Sequence, residues 1–346
     1  VPSEKHVPCT GLNDLSIQPY KPISYLVAAF APMFTKLTSK RLKIGLLFLA
    51  FSLNLPAQTS SPPSFFYPAQ APDTKRINGL VLSEAIGFSG ALLALHFLWY
   101  KKFTHSRFHF FNDNREWLQM DKMGHATTAY NLGVLGTDVY RWSGMENNRA
   151  IWYGGTTGLL FLTAIELLDG FSSGWGFSGG DMLANTAGSA LVIGQNLAWN
   201  EQRLSLKFSY HKSIYAAFRP EELGKGFGQR VLKDYNGQSY WLSANIWSFL
   251  AAGNGFPKWL NVAVGFGAEG MVSGSKDYVS DPAHPIPFFE RSRKFFFSAD
   301  VDFRRIPSTN QAALITFKAI NFLKVPAPAI EFIPSKKKIK LDAFYF

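Results

Sequence analysis

Cysteine is almost missing. The single thiol among 346 residues is Cys9. A chain so poor in thiols excludes a disulfide framework, a thiolate metal centre and a cysteine nucleophile in its main body. Two further absences matter. No Gly-Lys-Ser/Thr follows any glycine-rich turn, so there is no phosphate loop of that type. No strand–helix repeat precedes residue 169. The two serine signatures Gly170-x-Ser172-x-Gly174 and Gly176-x-Ser178-x-Gly180 therefore lack the buried strand that makes a nucleophile elbow meaningful.

Aromatic residues are plentiful, at 16% with 32 Phe. The formal charge is +11, of which +4 falls in residues 1–57, leaving a moderate +7 for the rest. Lys36, Lys40, Arg41 and Lys43 precede the apolar run Ile44–Leu55, and Leu55-Pro56-Ala57 offers a cleavage site. Basic, apolar and small in that order predict a secretory signal beginning at Met33, with residues 1–32 as upstream sequence. No cysteine stands at the cleavage site, so a lipid anchor is not expected. Export argues against nucleic acid as a partner. Basic residues beside aromatic ones suit membrane lipid instead.

The expected organisation has four parts. Residues 1–57 hold the upstream piece and signal, and 58–77 a Pro/Ser-rich linker. Residues 78–200 hold four apolar segments, at 78–100, about 121–142, 149–168 and about 180–199. Trp99, Tyr100, Lys101 and Lys102 close the first as an interfacial girdle would. Gly154 and Gly158, then Gly180, Ala184 and Gly188, repeat at spacing four, which lets helix backbones approach closely. Residues 201–346 alternate as strands, with one helix expected near 308–324 and a two-residue hairpin turn expected at Asn236-Gly237. The fold class is α+β: an apolar four-helix bundle associated with a membrane, then an antiparallel β-rich half. In the last strand Ile339, Leu341, Ala343 and Tyr345 face one way, and the chain ends on an aromatic, Phe346. That strand is similar to the terminal strand of outer-membrane β-proteins. Its open edge must be covered by helices, or the sheet must lie outside the lipid.

Polar residues stand out within the apolar segments. Asp121, Lys122 and His125 lie on the second, Glu166 and Asp169 end the third, and Asp181 and Asn185 open the fourth. The i, i+4 and i, i+3 spacings place each set on one helix face. Ionisable groups in an apolar bundle turn inward and are functional candidates. His125 and Glu166 are the candidate acid/base pair. Asp121 and Asp181 are orienting or metal-binding carboxylates, and Asn185 is a polar contact for substrate. The plain alternatives are local. Ser178-x-x-Asp181 reads as a helix cap, and Glu166 opposes its helix dipole, so something must compensate it. The segment 101–117, with His105, His109 and Asp113 at spacing four, reads as an interfacial stretch rather than a metal site.

The set Asp121-Lys122-x-x-His125, Glu166 with Asp169, and Asp181-x-x-x-Asn185-x-x-Gly188 resembles the YfiM-like family of bacterial envelope proteins over about 78–200. A similar order occurs in VanZ-like membrane proteins, where a glutamine stands in place of Asp169. The resemblance implies an envelope location, the outer membrane first and the periplasm second. It implies no activity, cofactor or metal. A structural or scaffolding role beside other envelope proteins is the leading expectation. An acid/base or metal-assisted enzyme acting on an envelope lipid or lipid-linked phosphate is the alternative.

Overall fold

The computed structural model describes residues 64–98, 100–251, 253–275 and 285–345. The expected signal, Trp99 and Phe346 lie outside the described residues. Helix α1 (Thr74–Leu98) begins where Asp73 Oδ1 accepts the N–H groups of Lys75 and Arg76, at 2.9 and 3.1 Å. Helices α2 (Met120–Trp142), α3 (Asn147–Gly170) and α4 (Gly179–Trp199) pack tightly on one another. Their small residues explain the close approach. A Cβ on Gly154 would stand 2.1 Å from Thr137 N, and one on Gly188 2.2 Å from Ala126 O.

The packed bundle thus has three helices, not four. Helix α1 stands off beside α2 and is tied in by the Tyr140 hydroxyl, which donates to Glu84 at 2.8 Å. Among described helices, α1 and α3 are long and apolar enough to cross a membrane, but α3 is a central member of the bundle.

Six strands follow as one antiparallel meander in chain order: β1 (Leu204–Tyr210), β2 (Gln238–Asn245), β3 (Leu260–Glu269), β4 (Ser292–Val301), β5 (Ala327–Ile333) and β6 (Lys338–Tyr345). Between β1 and β2 come two short helices, α5 (Pro220–Leu223) and α6 (Phe227–Lys233). Asn236-Gly237 is therefore no hairpin turn. The Asn236 amide instead clamps Met271, donating to its carbonyl at 2.8 Å and accepting its N–H at 2.8 Å. Helix α7 (Gln311–Ile320), capped by Asn310, fills the place of the expected late helix.

The sheet carries its polar side inward. Along β4 the buried positions are Ser292, Lys294, Phe296, Ser298 and Asp300, while Phe295, Phe297 and Ala299 are exposed. The sheet coils until strands that are not neighbours meet across the interior. Lys207 of β1 reaches Asp300 of β4 at 2.8 Å, both side chains fully buried, and Ser243 donates to the same carboxylate at 2.7 Å. The ring of Trp241 (β2) packs at a tilt on Phe296 and edge-on to Tyr345. Tyr345 faces this interior rather than joining Ile339 and Leu341, because a register shift opposite Ala327/Ala329 turns the end of β6 over.

The free edge of β1 is sealed by helices. Tyr130 and Asn131 of α2 donate to Leu204 O and Leu206 O at 2.9 and 3.0 Å. Gln195 of α4 takes Leu204 N and also donates to Leu204 O. The segment after α7 pairs with Phe208. On the apolar side, Met120 and Met123 of α2 pack on Phe208, Tyr240 and Phe266.

Candidate active site

The polar residues converge where α2 begins, α3 ends and α4 begins. Ser178 caps α4, its hydroxyl accepting Asp181 N at 3.1 Å and donating to Asp113 at 2.7 Å. Its own N–H donates to Glu166 Oε2 at 3.0 Å. That bond supplies the compensation a carboxylate needs at a helix C-terminus. The glycine-rich stretch 170–180 is accordingly a tight turn into a capped helix. It lies under an extended strap, 103–113, bound by Ser106 N to Phe171 O, His109 N to Gly170 O and Phe177 N to His109 O. The strap is not helical, so His105, His109 and Asp113 form no metal face. Asp113 instead points into the cluster.

Two centres share the cluster. Lys122 Nζ sits among Asp113 (2.6 Å), Asp181 (3.0 Å) and Asp121 (3.5 Å). His125 forms the second. Its Nδ1 lies 3.0 Å from Asn185 Oδ1, which fixes the ring. Its Nε2 faces Glu166 Oε1 at 3.7 Å and Asp121 Oδ1 at 3.9 Å. Those separations exceed a hydrogen bond, so neither carboxylate is committed to the ring. Glu166 is almost wholly buried, and its Oε1 has no hydrogen-bond partner. Tyr235 donates to Asp121 Oδ1 at 2.5 Å, and Tyr100 to Asp169 at 2.6 Å.

Burial dominates the electrostatics. It pushes the Glu166 carboxyl up to about 8, against the pull of His125 and the Ser178 N–H. It raises Asp169 to about 7 despite the Tyr100 bond. Asp181 rises to about 6 through burial and the nearby Asp121. Burial also opposes charge on His125, but Asp121, Asp181, Glu166 and the Asn185 bond outweigh it and raise the imidazole. Lys122 is raised too, its three carboxylates outweighing burial. Asp113 resists burial and is lowered by Lys122, Asp181 and Ser178.

The structure brings Asp121, Lys122, His125, Glu166, Asp181 and Asn185 together. Asp169 stands one turn beyond Glu166, facing Tyr100. Asn185 is fully buried, and its Oδ1 orients the His125 ring. Sequence reading missed Asp113 as a cluster member, along with Tyr100, Tyr235 and Tyr240. Gly124 held a trace of the last, since a Cβ there would stand 2.9 Å from the Tyr240 hydroxyl. For a metal, one ligand atom each of Asp121, His125 and Asp181 falls within 4.8 Å. The residues fit an ion poorly, because the Lys122 ammonium already lies against two of the three.

The cluster forms one end of a cavity of about 1780 Å³ that runs beside α2 as far as Trp142. Asp113, Glu116, Asp121, Glu166, Asp169 and Asp181 line the acidic end with His125. Leu80, Leu95, Phe161, Leu162 and Ile165 line an apolar wall.

Residues 109–196 match the family model described as "Predicted periplasmic lipoprotein (DUF2279)". The match spans the end of the strap and nearly all of α2 to α4, and so carries both centres of the cluster. It supports an exported protein of the cell envelope, and the description of the matching family assigns no function. The strands lie outside the match. No curated protein and no solved structure matches the chain.

Proposed function

We propose that the chain is an envelope enzyme with an acid/base site, acting on an amphiphile whose reacting group is uncharged. The observation that carries this reading is the uncommitted Glu166 Oε1, buried beside His125 at the head of an apolar cavity. Perturbed carboxylates in a cleft are functional candidates, and the cavity suits an acyl chain.

Charge narrows the substrate. Six carboxyl groups line the reacting end, and the Lys122 ammonium is taken up by three of them. A phosphate dianion would be repelled there, so an ester or amide of an envelope lipid fits better than a lipid-linked phosphate. In hydrolysis, whichever of His125 and Glu166 has lost its proton takes one from the attacking water. The other protonates the leaving oxygen or nitrogen. Asp121, aligned by Tyr235, supports charge on the ring, and Asn185 holds it in place.

The test pairs two probes on the full chain in detergent, p-nitrophenyl palmitate and p-nitrophenyl phosphate. Turnover of the ester alone, lost in Glu166→Gln and His125→Gln, is expected. Equal turnover in those variants overturns the reading. A structural role is the second reading, favoured by the saturated pairing of Lys122. It expects Glu166→Gln to rescue a deletion strain fully at normal abundance.

A further inference from the structure

We propose that the outward face of the sheet, centred on β3 to β5, is seated in the acyl-chain layer of an envelope membrane, with the free edge of β6 at headgroup level, where water satisfies its backbone. The alternation is the first ground. A water-facing sheet hides its apolar side and shows its polar one. Here the inward side holds the Lys207–Asp300 pair and the Lys294–Glu331 pair at 3.0 Å, all buried. The outward side is apolar. Polar inside and apolar outside is the arrangement of β-structure in lipid.

The register is the second ground. Leu242, Val264, Phe297, Ile330 and Leu341 are successive cross-strand partners, forming one row over five strands. Phe266, Phe295, Phe332 and Ile339 form the next row. Helix α2 covers these rows only towards β1. Phe297 is 53% and Leu341 75% exposed. With the Ala299 row, the band extends about 14 Å along the strands, close to one leaflet of a hydrocarbon core of about 30 Å.

The rim is the third. Arg293 flanks the band at the Phe295 end, and Lys338 pairs with Ile333 at the same end, beside Lys337 at the hairpin tip. Basic residues there meet anionic headgroups. A protein partner is a poorer occupant, because apolar exposure is not one patch. Leu82, Ile86, Leu93 and Phe97 stripe α1, and Leu160 and Leu183 are exposed on α3 and α4.

The test uses the full chain with Cys9→Ser and one reporter cysteine, Phe297→Cys, Ile330→Cys or the exposed control Lys225→Cys. Each is labelled with bimane and reconstituted in vesicles of brominated phosphatidylcholine and phosphatidylglycerol. Chains that keep the parent melting curve in detergent are compared, with Leu341→Cys as reserve. Several-fold stronger quenching at Phe297 and Ile330 than at Lys225 is expected, including in a Glu166→Gln background, so the result is independent of the active-site reading. Quenching no stronger than the control overturns the proposal. So does a lipid-free dimer in which the sheet reporters are shielded, which assigns the face to a second copy of the chain.

Discussion

His125 Nε2 lies 3.7 Å from Glu166 Oε1, near enough for the charge on one group to bias the other and too far for a direct hydrogen bond. Both hold their protons above the ordinary range, Glu166 to about 8. The working state, with one proton on the pair, is therefore reached as pH rises. The pH–rate profile of ester turnover should climb through a limb near pH 8 that belongs to the pair. Glu166→Gln should remove that limb and most of the rate, by at least about 100-fold.

The same shift ties stability to pH. A carboxyl raised to about 8 in the folded chain contributes stability that is whole below the ordinary carboxylate range and is lost as pH rises through about 8. The wild-type melting temperature should fall between pH 6 and 9 more steeply than that of Glu166→Gln. The gap at pH 9 should be on the order of a few kcal/mol.

Lys122→Ala should be among the most damaging single changes in the bundle. It strands Asp113, Asp121 and Asp181 together, and breaking a buried ion pair costs about 3–5 kcal/mol. Denaturant unfolding in mild detergent reads the loss. A cost below about 1 kcal/mol would mean that the carboxylates simply take up protons.

In the sheet interior, Lys207→Met leaves Asp300 with the Ser243 hydroxyl, a long bond from Val325 N at 3.4 Å and a distant Lys324 at 3.9 Å. It should destabilise by about 3–5 kcal/mol, and the double change Lys207→Met with Asp300→Leu should recover much of that. Recovery shows up as a melting temperature above that of the single variant.

Gly154→Ala probes the helix crossing. Its Cβ would collide with backbone at Thr137, which cannot yield as a side chain tip can. Overpacking of about 1–3 kcal/mol should follow, against little effect for Gly194→Ala, which meets nothing within 4 Å. Parallel melting curves decide it.

Much of the helical half was legible because its signals are local. Ser178, Gly154 and Gly188 act on neighbours a turn away or one helix over, and Asp121, His125, Glu166 and Asp181 repeat at helical spacing. What was hidden depends on distant chain. Tyr235 meets Asp121 across 114 positions. Asp113 was visible only as a term in a false helical pattern, because the strap is held by backbone bonds to the turn it covers. Strand β5 carries a weak local signal, since Pro328 and its alanines lower strand propensity, yet Glu331 is fixed there by Lys294. The polar interior could not be read from alternation, which reveals two faces without saying which is inside.

The sealing of β1 has a consequence for how the chain can be taken apart. Its edge atoms at Leu204 and Leu206 find their partners on Tyr130, Asn131 and Gln195, which lie before the strand in sequence. A fragment beginning at residue 201 would keep the pairing of Phe208 with the segment after α7 but leave the edge raw at Leu204 and Leu206, ready to zip onto another chain. The helices thus act as a built-in chaperone for the strands. Synthesised first, they stand ready to receive β1 as it emerges, so the order of the two halves along the gene guards against aggregation. Permuting that order should yield inclusion bodies even though every contact of the final fold remains available.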